Sequence, residues 1–109
     1  MRVSYQQSAA DDVVRQFRYY LITKDLPEVA VRFLEAVRHT IEQLRKHPHI
    51  GPRYRTANPR QLKNLRSWPI TGLEGIRVYH VPDEEVVRVV RILHGKRDVK
   101  QILAGETAI

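Results

Sequence analysis

Residues 86–93, VVRVVRIL, constrain the fold of this chain more than any other stretch. Five of these eight residues are Val or Ile, a β-branched run typical of a buried strand. Only Arg88 and Arg91 interrupt it, and it is expected to be the central strand. Gly95 then breaks the strand. Asp98, after two cations, places an acid near the start of a short C-terminal helix. A strand of this kind delivers Arg97 to a surface edge.

The other elements can be laid around that strand. Val3 and Tyr5 alternate with polar residues, so residues 2–6 read as a short edge strand. Ser8 with Asp11 three residues later resembles a capping box. Val13, Val14, Phe17, Tyr20 and Leu21 follow at helical spacing, and this helix ends near Lys24. Asp25-Leu26-Pro27-Glu28 starts a second helix, because the missing N–H of a proline has no acceptor to lose in a first turn. Its stripe is Ala30, Phe33, Leu34, Val37, Ile41 and Leu44. Arg45, Lys46 and His47 put positive charge at its negative end, and Pro48 stops it. Helices joined so closely form an antiparallel hairpin, with both stripes turned toward a sheet.

Residues 49–61 carry Gly51, Pro52, Asn58 and Pro59 without an apolar period, and read as an irregular crossover. Residues 62–70 read as a strand that Pro69 ends or confines to an edge. A turn over residues 71–75 leads to a strand in which Ile76, Val78 and His80 face one side and Arg77, Tyr79 and Val81 the other. Residues 82–85 form a tight acidic turn, pairing this strand antiparallel with residues 86–93. The expected class is α+β: an N-terminal strand, a two-helix hairpin, a three-stranded antiparallel meander and a short C-terminal helix. One hairpin covers one sheet face, so the other is expected to lie partly open, carrying Arg77 and Tyr79 or their alternates.

A chain of 109 residues supports one core, so residues 1–109 read as a single domain. The absence of cysteine removes disulfide, zinc-thiolate and thiol-nucleophile chemistry and fits a reducing cytoplasm. No signal peptide is expected, and no apolar run approaches the roughly 20 residues of a membrane span. The net charge of +7 points to an acidic partner, either nucleic acid or an acidic protein segment. Seven of the cations (Arg45, Lys46, Arg53, Arg55, Arg60, Lys63 and Arg66) fall in residues 45–66, which contain no Asp or Glu. A solvated loop is the ordinary explanation of a charge run, yet a run without acids repels itself and is better tolerated under an anionic cover.

No familiar catalytic motif is present, and the five histidines (His39, His47, His49, His80 and His94) lack metal-ligand spacing. No metal site or cofactor is expected. His94 reads as a local hydrogen-bonding group at a strand end rather than a base. Arg88 and Arg91, on a half-buried strand, need acids such as Asp83, Glu84, Glu85 or Asp98, or an outlet to solvent. Arg77 and Arg97 are placed to bind phosphate oxygens or a partner's carboxylates. Trp68 reads as a core plug.

Leu44, Pro48 and Gly51, then Leu65 and Arg66, Arg77 and Tyr79, and finally Arg91, Leu93, His94, Arg97 and Asp98 match, in order and spacing, the pattern of the ParE/RelE toxin superfamily. On this pattern the chain resembles a ParE-type toxin, or plasmid stabilisation protein, along nearly its whole length. The resemblance implies a toxin of a type II toxin–antitoxin system, active in the cytoplasm. Two activities share that fold: RelE-type members cut messenger RNA on the ribosome, and ParE-type members poison DNA gyrase and block replication. Of the ribonuclease set, Arg77 and Arg97 match its arginines. Leu62 and Asn64 stand where its lysines fall, with Lys63 between them, and no tyrosine follows Tyr79. RNA cleavage needs groups to take and give protons, and an arginine of pKa above about 12 is a poor base. A non-enzymatic gyrase inhibitor is therefore expected, with Arg77, Arg97 and Lys63 the residues of the ribonuclease alternative. The resemblance also implies a cognate antitoxin whose flexible acidic segment wraps the hairpin and sheet, in a heterotetramer or larger complex. Arg66, Arg77, Tyr79, Arg91, His94 and Arg97 are the expected partner-binding residues. A third reading, from another class, is a non-toxic basic module that binds RNA or DNA.

Overall fold

Helical periodicity in the first half and β-branched alternation in the second translate directly into the architecture. The computed structural model describes residues 1–56, 60, 62–95 and 97–106. Asn58, Pro59 and Gln61 of the crossover, and Lys96, lie outside the described residues. The chain runs β1 (Arg2–Tyr5), α1 (Gln7–Arg18), a π-helical turn (Tyr19–Thr23), α2 (Pro27–Lys46), β2 (Arg66–Ile70), β3 (Leu73–Pro82), β4 (Val86–His94) and α3 (Val99–Ala104). The sheet order is β1-β4-β3-β2. Strands β2 to β4 form the expected antiparallel meander, and β1 joins the other edge of β4 in parallel. The α+β class and order of elements expected from the sequence are those the chain adopts.

The hairpin packs on one sheet face. Ala9, Phe33, Val37 and Leu44 from the helices meet Ile70, Ile76, Val78, Val87, Val89 and Ile92. Trp68 plugs the rim of this core, its indole N–H directed at Gln43 Oε1 at 3.4 Å. The second face, expected to lie partly open, is covered as well. Leu62 and Leu65 from the crossover and Val99 and Leu103 from α3 close over Tyr79, Val81, Val90 and Leu93. Burial on both faces explains why β4 reads as a nearly unbroken Val/Ile run. The register slips where Tyr79 faces Arg91 but His80 faces Val89, which makes Val90 a bulge residue. The slip lets Val89 and Ile92 share the hairpin face while Val90 and Leu93 share the other.

Local boundaries differ from expectation for identifiable reasons. Helix α1 is capped at Gln6, without a side-chain cap. The Gln6 N–H extends the ladder to the Val89 carbonyl at 2.9 Å, so the strand passes straight into the helix. Ser8 therefore lies inside α1, and its hydroxyl reaches Glu106 Oε2 at 3.1 Å instead. The π-helical turn inserts a residue into the helical repeat and rotates the end of the stripe. Phe17 and Tyr20 stay packed on the core, whereas Leu21, expected on the same stripe, is 37% exposed; Val14, upstream of the turn, is 55% exposed within α1 itself. Strand β2 begins only at Arg66, because Leu65 N–H turns back to the Leu62 carbonyl and Asn64 adopts a positive φ of 62°. That turn drops both leucines into the second core. Pro69 sits on the edge strand, as proline must.

Candidate functional site

The sequence-predicted residues fall into three places rather than one. The first is a buried ion-pair node at Arg91. Strand β1 pairs with β4 only as far as Val89, leaving the next backbone groups of β4 without a strand neighbour on that side. Helix α1 crosses there and supplies the missing partners from its side chains. Asp12 accepts the Ile92 N–H at 2.9 Å, and Gln16 Nε2 donates to the Ile92 carbonyl at 2.8 Å. Asp12, fully buried, also accepts both Nε and Nη2 of Arg91 at 2.8 Å and Nη2 of Arg15 at 2.9 Å. Arg91 Nη1 donates to Glu106 Oε1 at 2.8 Å. The Asp12 hydrogen bond holds the Arg91 proton well above the ordinary arginine range, against the opposing effect of burial. Such a bidentate buried pair fixes α1 and the C-terminal segment onto the sheet.

The second place is the cationic crossover. Arg53, Tyr54, Arg55, Thr56, Lys63 and Asn64 line an open pocket of about 530 Å³ over buried Leu62 and Leu65. Backbone pairing builds it: the Tyr54 N–H donates to the Leu65 carbonyl at 2.8 Å and the Ser67 N–H to the Pro52 carbonyl at 3.2 Å. Gly51 permits that approach. Its φ is +90°, and a Cβ there would sit 2.3 Å from the Ser67 carbonyl oxygen. Arg53 donates to Asn64 Oδ1. Arg53, Arg55, Arg60 and Lys63 are exposed, and none makes an ion pair among the described residues. Beneath, the Tyr54 ring meets Tyr79 edge-on at 5.2 Å. Burial raises the Tyr79 phenol above its usual pKa, with Tyr54 adding to the rise and Arg77 opposing it. Arg77 donates to Ser67 Oγ at 3.0 Å from Nη2.

The third place is the tip and flank of the hairpin. Arg15, Gln16, Tyr19, Tyr20, Lys24, Leu26, His94 and Arg97 line a cleft of about 730 Å³. It shares Arg15 and Tyr19 with a shallower groove that includes Val14, Arg18 and Ile22. Ile22 is 64% exposed and Val31 52%, with Tyr19 and Leu26 both near 45%. The surface is apolar with a cationic rim.

Similarity to a protein family and to a solved structure places this architecture. A family model described as "ParE toxin of type II toxin-antitoxin system, parDE" matches residues 3–99. This chain belongs to the ParE toxin family. Among solved structures, a chain of the "Chromosomal ParDE TA system from P. aeruginosa" superposes with a TM-score of 0.66 at 15% identity, covering 86% of this chain and 95% of that one. At that identity the likeness concerns the fold. No curated protein matches this ParE-family chain in sequence.

Of the expected partner-binding residues, His94 and Arg97 line one cavity together. Arg66 is half-buried on the hairpin side, donating Nη1 to the Gly51 carbonyl at 2.8 Å. Arg77 and Tyr79 lie on the second face, and Tyr79 is 3% exposed. Arg91 is held by Asp12 and Glu106, two acids outside the four weighed from sequence, while Arg88 does pair with Asp83 at 2.9 Å. Lys63 sits in the cationic pocket, separate from the cleft that holds Arg97. Among the described residues no three His, Asp or Glu side chains gather as a metal site. Sequence reasoning missed Asp12 and the exposed tip. Asp12 and Gln16 share the i, i+4 spacing of one helix face, and Val31 stands off the α2 stripe, but neither spacing says what the residue meets.

Proposed function

We propose that this ParE-family toxin inhibits DNA gyrase and that a cognate antitoxin neutralises it. The reading is carried by membership of the ParE family, with Lys63 and Arg97 of the ribonuclease set lining different pockets. Arg77 is tied to Ser67 on the second face, Lys63 belongs to the crossover pocket, and Arg97 stands at the hairpin cleft. In-line cleavage requires cations and proton carriers converging within about 3 Å of one phosphate. The tyrosine nearest Arg77 is buried, and burial keeps its phenol protonated. A surface that grips a macromolecule is the better use of such residues.

The antitoxin reading rests on the hairpin. Exposed Tyr19, Ile22, Leu26 and Val31, rimmed by Arg15, Arg18, Lys24 and Arg97, suit the apolar face and acidic edges of a segment that orders on binding. One such segment per toxin gives a one-to-one pair, and self-association of the antitoxin would join such pairs into a heterotetramer or larger complex, in the cytoplasm where gyrase works.

A supercoiling assay tests the proposal. Purified toxin added to gyrase and relaxed plasmid is expected to block supercoiling and trap cleaved DNA. The ribonuclease reading is favoured by one observation, the shared cleft of His94 and Arg97. Cutting of messenger RNA on ribosomes with supercoiling unaffected, and loss of that cutting in His94→Ala, would establish it and displace the gyrase reading.

A further inference from the structure

We propose that the crossover pocket of Arg53, Arg55 and Lys63 binds the phosphodiester backbone of nucleic acid. This goes beyond gyrase inhibition, because it assigns a direct polyanion contact to the toxin itself.

Four arginines outside the crossover loop are neutralised: Arg15, Arg45, Arg88 and Arg91 each pair with a carboxylate. In the crossover no carboxylate exists to pair with: residues 43–73 contain no Asp or Glu. Arg55 and Lys63 line the pocket without an ion pair, and Arg53 spends one Nη on the Asn64 amide. Buried Leu62 and Leu65 and the 52–54 backbone pairing hold these cations around one opening. Cations held together raise one another's electrostatic energy, and a polyanion relieves it while releasing its own counterions. Guanidinium forks and an ammonium suit phosphate oxygens, and the Asn64 amide adds a polar neighbour.

The chemistry also separates nucleic acid from an acidic peptide. Protein segments bind through apolar anchors, and every large exposed apolar residue among those described lies at or before Val31. None belongs to the pocket, whose leucines are 2% exposed or less. The hairpin tip carries the exposed apolar anchors of protein-binding chemistry; the crossover presents exposed cations around a recessed floor of Tyr54, Leu62 and Leu65.

Fluorescence anisotropy of the full chain with a labelled DNA duplex, and separately with single-stranded RNA of equal length, tests this without gyrase present. Three phosphate contacts predict about 40-fold weaker binding to the duplex, and about 20-fold to the single strand, between 50 and 200 mM salt. The triple variant Arg53→Gln, Arg55→Gln, Lys63→Gln is expected to lower the logarithmic salt slope by about 3. A charge-matched control, Arg2→Gln, Arg32→Gln, Arg38→Gln, removes equal charge from exposed positions elsewhere and is expected to retain most of the slope. Scaled by about 0.9 per contact for the duplex and about 0.7 for the single strand, the larger loss of slope in the pocket variant identifies the better source of phosphate. Equal losses in both variants would reduce the effect to net charge and overturn the proposal. So would a polyglutamate peptide that loses binding in the pocket variant while both nucleic acids do not. Because gyrase is absent, failure here leaves the supercoiling test intact, and a failed supercoiling test leaves this one standing.

Discussion

Arg91 and Arg55 are the same residue in opposite circumstances. Arg91 lies at a sheet edge where α1 and the C-terminal segment bring two carboxylates within 2.8 Å. Arg55 lies on an exposed crossover with no acid in the surrounding stretch. The first is spent on holding the fold together, and its charge is not available to a ligand. The second contributes little to the fold and keeps its charge for whatever arrives. Arginine count alone cannot separate these roles; the position of the nearest carboxylate does.

The sharpest way to break that contrast is Asp12→Ala. It removes the acceptor of Arg91, Arg15 and the Ile92 N–H together and leaves a guanidinium largely buried. A loss of about 3–5 kcal/mol is expected in urea unfolding. Asp12→Asn, which keeps an acceptor oxygen, is expected to lose less.

His80 supplies the complementary case of a buried base with no acid beside it. It is fully buried on the hairpin face, and neither ring nitrogen makes a well-formed hydrogen bond among the described residues. Burial lowers its pKa to about 4, with Arg66 adding to the fall and nearby backbone groups of Val78, Ile50 and Pro48 opposing it. The folded state thus holds the neutral ring, whereas the unfolded chain takes up a proton near pH 6.5. Its contribution is fully present above pH 6.5 and is lost as pH falls toward 4, by about 3 kcal/mol in all. Urea midpoints measured across that window should show a slope that His80→Leu flattens.

Gly51→Ala tests whether the crossover is held in place by backbone approach. With φ at +90° and the Ser67 carbonyl against the new Cβ, a loss of about 2 kcal/mol is expected in thermal or urea unfolding. The smallest stability effect is expected for Arg55→Gln, within about 0.5 kcal/mol. A cost near that of Asp12→Ala at this exposed position would erase the distinction between the two arginines.

Much of the fold was legible in residue patterns. The spacing of Ala30, Phe33, Val37 and Leu44 marked the buried face of α2, and all four are core residues. Pro27 and Pro48 marked its ends, since α2 starts at Pro27 and is capped at His47. The alternation of Ile76 and Val78 against Tyr79 and Val81 divided β3 between its two faces. The covered second face was not legible, because Leu62 and Leu65 read as strand residues until the turn at Asn64 redirects them. Exposed Leu21 and Ile22 escaped because a π-helical turn breaks the 3.6-residue repeat on which the stripe was read.

Period, capping and charge are local properties, so the sequence by itself determined the helices, the meander, the family pattern and the cation-rich crossover. Which arginines are neutralised was decided only by the tertiary structure. Asp12 and Arg91 are 79 residues apart, and no local pattern records a partner at that distance. They meet because β1 ends short and α1 must cross the bare edge of β4, where backbone groups and a buried guanidinium both require the same carboxylate.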